Sequence, residues 1–152
     1  MTASPVALDE IPLPALLRHA RGTYGAAMRR ALQAAGYDDL PKNGLSVIGG
    51  LRLAEGDLAL GRLIRDLNLS KQAAGQLVDT LVTRGYLRRR LDEQDRRRLL
   101  VTLTERGRAA AQVQAAACAR IDAQLLEKVG AENIVHARRV LAALIDLGAP
   151  QA

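Results

Sequence analysis

The stretch SKQAAGQLVDTLVTRGYLRRRLDEQDRRRLLVTL, residues 70–103, changes its hydrophobic period partway along, and the architecture follows from that change. From Ser70 the apolar residues Ala74, Leu77, Val78 and Leu81 recur at i, i+3, i+4 and i+7, the spacing of one helix face. Ser70 is a good N-cap, and Arg84 followed by Gly85 is the expected stop. Beyond Tyr86 the period falls to two. Leu87 and Leu91 are expected on one side of a short strand with Arg88 and Arg90 on the other, and Leu99, Val101 and Leu103 alternate with Arg98, Leu100 and Thr102. Residues 92–96, DEQDR, then form a hairpin loop of the longer type. The reading is a helix followed by a β-hairpin whose tip and one face are arginine.

Working outward, a helix is expected from about Leu58 to Leu67, with Asn68, Leu69 and Ser70 as a short turn. AEGDLA before it is a loop. The segment after Pro41, NGLSVIGGLRL, gives a helix with Leu45, Ile48 and either Leu51 or Leu53 inward. A long first helix begins near Pro14, because proline is tolerated in a first turn, and Gly36 ends it. Downstream, Thr104 caps a fifth helix closed by Gly130, and a sixth, AENIVHARRVLAALIDL, ends at Gly148. Helix, short turn, helix, hairpin is the winged helix-turn-helix order. The fold class is therefore mainly α with a small β-hairpin wing.

Composition agrees with packed helices. The 152 residues are rich in Ala and Leu, with no Phe or Trp and only five prolines. A single cysteine, Cys118, excludes an internal disulfide and fits a reducing cytosol. The N-terminus does not read as a signal peptide, and no apolar run approaches the roughly 20 residues of a membrane span. A soluble cytoplasmic protein is expected, with no membrane partner.

The net charge of +6 is localised. Residues 1–58 hold six basic and six acidic residues and residues 109–152 hold four of each, whereas residues 59–108 hold twelve basic and six acidic. Against a solvated face without a partner, nucleic acid or an anionic membrane surface explains that localisation better.

Double-stranded DNA fits the arrangement, because a helix fills the major groove and its first-turn side chains reach base edges. Lys71, Gln72 and Gln76 project from the start of the helix at 70–84, away from its apolar stripe, and Gly75 between them permits close approach. Arginines of the projecting loop and its edge, Arg96, Arg97 and Arg98, suit the minor groove, and those along the strands, such as Arg89, suit phosphates. The acids of the loop have two readings. Asp95 orients a neighbouring arginine through a charge-assisted hydrogen bond, or Asp92, Glu93 and Asp95 merely make a soluble turn.

Residues 69–107 resemble the signature of the MarR family of bacterial transcription regulators. The matching features are the Leu-rich helix ending in Arg84-Gly85, the wing with Asp, any residue, Arg (Asp95, Arg96, Arg97), and Leu103-Thr104-Glu105-any-Gly107 opening the next helix. The resemblance implies an obligate homodimer on a pseudo-palindromic operator. Residues 1–40 and 104–152 would supply interleaved dimerisation helices, and 41–103 the DNA-binding domain. It implies Arg97 as the wing-tip minor-groove contact, and Ser70, Lys71, Gln72, Gly75, Gln76 and Thr80 facing the major groove. It also implies a pocket for a small aromatic or acidic effector between the dimer helices and the DNA-binding domain, for which Arg18, His19 and Tyr24 are candidates against an ordinary surface role.

Dimerisation has independent support. The stripes Val113, Ala117, Ile121, Leu125 and Ile134, Ala137, Val140, Leu141, Leu144, Ile145 are wider than one small domain needs, and a C2 partner is the common solution. The alternative is a monomer in which the first helix covers both. Cys118, among alanines, reads as a small buried apolar residue rather than a redox sensor. His19 and His136 lack neighbours at metal-ligand spacing, so no metal or other cofactor is expected. No phosphate loop, HExxH or nucleophile elbow suggests an enzyme. The expected function is a dimeric sequence-specific DNA-binding regulator, a repressor released by a small ligand. The alternative is a winged-helix protein-interaction module that sets its basic face against an acidic protein.

Overall fold

The computed structural model describes residues 10–54, 58, 59, 61, 62, 65 and 70–148. In chain order the elements are α1 (Leu13–Ala34), α2 (Gly44–Leu53), β1 (Leu58–Ala59), α3 (Lys71–Thr83), β2 (Leu87–Leu91), β3 (Leu99–Leu103), α4 (Glu105–Val129) and α5 (Ala131–Leu147). Helix α1 opens with proline in its first turn and closes at Gly36, where the Tyr37 N–H donates to the Leu32 carbonyl at 2.9 Å.

The helix expected from Leu58 begins differently. Leu58 and Ala59 pair with Val101 and Leu100 as the short strand β1, and a two-residue strand has no period to read. Gly61, Arg62 and Arg65 are helical; the rest of that expectation, with the turn before Ser70, lies outside the described residues. The hairpin is thus part of a three-stranded antiparallel sheet in the order β1-β3-β2. Strand β3 is central, which explains why both Leu100 and Val101 are buried.

The hairpin register runs from Leu87 opposite Leu103 to Leu91 opposite Leu99. Leu87 is buried, but Leu91, expected beside it, is exposed. Four steps along a strand carry it roughly 13 Å further out, past the end of the core.

That core is one cluster in which Ile48, Leu51, Leu81, Leu87, Val101 and Leu103 are joined by Ala110 and Ala111 of α4. Leu51 is the inward residue of α2, and Leu53 is exposed. Helix α3 buries Ala74, Leu77, Val78 and Leu81, as its spacing predicts. Gln114 of α4 reaches the Leu45 carbonyl of α2 at 3.0 Å, tying the two helices across their interface.

The base of the hairpin is held from two sides. Tyr86 is fully buried, and its hydroxyl donates to the Asp39 carboxylate in the α1–α2 connection. Arg106 donates to the same carboxylate at 2.9 Å and lies over the Tyr86 ring, 4.7 Å from its centroid. The Tyr86 hydroxyl and the Arg106 charge hold the Asp39 carboxyl below the usual carboxylate range. Burial, together with the hydrogen bond to Asp39, pushes the Tyr86 phenol up.

Thr104 then starts α4 in the residue after β3. Its hydroxyl accepts from the Gly107 N–H at 3.0 Å. Only glycine fits at 107, because a Cβ there would stand 2.1 Å from the Tyr86 carbonyl oxygen.

Helix α1 packs along α4, and α5 packs back on α4. Ala117 is buried and Val113 lies against the core, but Leu125 is exposed and α5 has no buried residue. The first helix does not cover both stripes: α1 lies on α4 and leaves the α5 stripe open.

Candidate nucleic-acid interface

Ser70 fixes where α3 begins. Its hydroxyl accepts from the Ala73 N–H at 3.2 Å, satisfying one of the donors that a helix start leaves free. Lys71, Gln72 and Gln76 are exposed on the first two turns, and Gly75 is half-buried between them. A Cβ at Gly75 would meet nothing within 4 Å, so the fold itself has no use for glycine there. Thr80 turns its hydroxyl back to the Gln76 carbonyl at 2.9 Å.

The wing loop is built by its acids. The Asp92 carboxylate accepts from the Gln94 N–H at 2.9 Å, and the Asp95 carboxylate from the Arg97 N–H at 3.0 Å. Asp95 therefore orients the backbone of Arg97, where an arginine side chain had been the expected partner: a short carboxylate reaches its own chain two residues on more readily than a long, exposed guanidinium. The loop closes through Arg98 N–H to the Asp95 carbonyl at 2.8 Å and Asp92 N–H to the Arg98 carbonyl at 3.0 Å.

Two kinds of arginine result. Arg89 points at α3 and pairs with Asp79, while Arg90 lies 3.8 Å from Glu93 and Arg98 lies 3.9 Å from Asp92. Among the described residues, the side chains of Arg96 and Arg97 make no hydrogen bond or ion pair, and both are exposed at the tip. The structure thus brings Ser70, Lys71, Gln72, Gly75, Gln76 and Thr80 together on one helix, and Arg96 and Arg97 on the loop beside Asp95 and Arg98. It sets Arg89 apart, turned inward between the two elements.

Sequence reasoning missed the Asp79 partner of Arg89 and the cluster of Asp39, Tyr86 and Arg106. A lone acid in a basic stretch was the available signal for the first. Nothing local marks the second, whose members are up to 67 positions apart.

Two cavities lie away from this face. One, of about 310 Å³, sits between α2, β3 and α4, with Leu51, Leu103 and Ala111 inside and Arg52, Arg108 and Gln112 around it. The other, of about 410 Å³, lies between α4 and α5 and is lined by Tyr24, Leu126, Ile134, Arg138 and Leu141. The Tyr24 hydroxyl donates to Asp122 at 2.5 Å, and that bond, with burial, pushes the phenol up to about 12. Arg18 and His19 are exposed on α1 and do not line either cavity.

Burial pushes the Cys118 thiol up, away from the thiolate needed for reactivity. No helix among the described residues is long and apolar enough to cross a membrane, and no group of three or more His, Cys, Asp and Glu is placed to hold a metal.

A capped helix packed beside an antiparallel wing defines a winged helix-turn-helix protein. The sequence profile of the MarR family matches residues 39–98, and over that domain the chain is similar to the family. A comparison with curated proteins finds no match. Among solved structures, the chain is similar to FabT of Streptococcus pneumoniae in complex with DNA (18% identity, 89% of this chain and 94% of that one, TM-score 0.76). It is also similar to a mutant MarR of E. coli complexed with operator DNA (21% identity, 93% and 99%, TM-score 0.71). A third is the PcaV transcriptional regulator of Streptomyces coelicolor in complex with its natural ligand (20% identity, 97% and 100%, TM-score 0.69).

Proposed function

We propose that this chain is a dimeric, sequence-specific DNA-binding transcriptional regulator in which α3 enters the major groove and the wing tip the adjacent minor groove. The observation that carries the reading is a polar, exposed first turn of α3 together with two exposed tip arginines that have no acidic partner among the described residues. Gly75 supports it. Glycine inside a helix costs about 0.5–1 kcal/mol relative to alanine, and no contact among the described residues calls for it. Two of the similar structures are bound to DNA, which agrees with the reading.

The exposed apolar face of α5 supports self-association, and a two-fold dimer would present two helices to half-sites about 10 base pairs apart. In this reading the protein is a repressor, and a small ligand carrying an acid group loosens its hold. The cavity between α2, β3 and α4, ringed by Arg52 and Arg108 above an apolar floor, suits such a ligand.

Selection of bound fragments from genomic DNA, followed by titration of one recovered fragment, tests the proposal. Binding is expected to weaken by roughly 10³ or more between 50 and 200 mM salt. Arg97→Ala should weaken it further with no change in melting temperature. A flat salt response and no selected fragment would turn the reading toward an acidic protein partner.

A further inference from the structure

Helix α3 contains one acidic residue. Asp79 stands three positions after Gln76 and seven after Gln72, so the three share a helix face, the one proposed to meet DNA. An acid on that face repels phosphates. Its side chain is 63% exposed, so nothing in the core requires it there.

What Asp79 does touch is Arg89 of β2, which donates to its carboxylate. The two residues bridge the gap between the recognition helix and the wing. If the helix lies in the major groove and the wing in the next minor groove, the sugar–phosphate backbone dividing the grooves passes over that gap. Arg89 then faces that backbone, and Asp79 already occupies this arginine.

Resting on the DNA-binding reading above, we infer that Asp79 is an internal stand-in for a DNA phosphate that holds Arg89 back from sequence-independent contacts. Two further contacts in the wing, Arg90 with Glu93 at 3.8 Å and Arg98 with Asp92 at 3.9 Å, are at the limit of an ion pair, and Glu93 is 92% exposed. The Asp79–Arg89 contact is a direct hydrogen bond. An exposed pair of this kind is weak enough to be exchanged for a well-placed phosphate and strong enough to resist a loosely placed one. It therefore lowers affinity for arbitrary DNA more than affinity for a site that fits, and acts on selectivity without reading a base.

The test uses the full chain and a random-sequence duplex of about 30 base pairs, roughly three helical turns. Asp79→Asn, Arg89→Gln and the double variant are titrated from 50 to 200 mM salt, with melting curves confirming that each is folded. Asp79→Asn should tighten random-duplex binding by about threefold per protomer, roughly tenfold for a dimer. It should also steepen the dependence of log Kd on log salt by about 2, at roughly 0.9 per phosphate newly neutralised in each protomer. The double variant should bind like Arg89→Gln alone.

Equal tightening by Asp79→Asn with and without Arg89 would mean the acid merely repels DNA, and weaker binding would mean the pair is part of the contact surface. Either result overturns the inference. If Arg97→Ala weakens binding as expected while Asp79→Asn changes nothing, only this inference falls. If the unaltered chain ignores DNA at 50 mM salt, the DNA-binding reading falls with it.

Discussion

Helices α3 and α5 are both amphipathic, yet α3 buries Ala74, Leu77, Val78 and Leu81 and α5 buries nothing. Along α5, Val140, Leu141, Leu144 and Ile145 are 41 to 73% exposed. The difference lies in what faces each helix. The stripe of α3 meets α2, β2 and the start of α4 within one closed core, whereas α5 packs chiefly on the far end of α4. An apolar stripe thus states that something must cover it, and only the packing says whether the cover comes from the same chain.

That contrast can be broken by experiment, beginning with the largest effect. Leu81→Ala removes a fully buried side chain and should lower stability by about 2–5 kcal/mol, by urea unfolding, at every protein concentration. The pair Leu144→Glu and Ile145→Glu should leave that unfolding free energy nearly unchanged when measured on the single copy. It should weaken self-association by tenfold or more, read as a shift from two copies to one in sedimentation. If the paired variant unfolds early as a single copy, α5 is covered from within.

Smaller effects sharpen the closed half of the comparison. Asp39, whose carboxyl is held below its ordinary value of 3.8, favours the folded state above that value and loses the contribution as pH falls through its folded value. Asp39→Asn should therefore cost roughly 1 kcal/mol or less near neutrality, an exposed group being screened, and flatten the loss of stability below about pH 4. Smallest is Gly75→Ala, which should raise stability by about 0.5–1 kcal/mol while weakening DNA binding. Gain on both counts would remove close approach as the reason for glycine.

The closed half was also the more legible in sequence. Residues 70–103 announce α3 and the hairpin because caps and periods are local signals, and Ser70, Gly85 and Thr104 mark their boundaries without help from the rest of the chain. The polar first turn of α3 and the arginine tip could be placed for the same reason. Strand β1 could not, because two residues beside β3 have no period and owe their conformation to partners 41 and 43 positions away. Nor could the direction of Arg89: alternation says which side of a strand a residue takes, but the angle between strand and helix decides whether Asp79 is there to meet it. Leu91 shows the converse. Its side was readable, but the distance to which the hairpin outruns the core was not.

Strand β3 passes into α4 through Thr104 alone, clasped by the Tyr86 carbonyl and by the close seat of Gly107. The wing and a helix of 25 residues, nearly 40 Å long, consequently share one stiff lever with no joint between them. In the proposed dimer, where the arginine tip lands would then depend on how the far arm of that lever is gripped, near the bend at Gly130 where α5 folds back. In that dimer, a disturbance there, a long way from the base pairs, would be carried along the helix toward the tip.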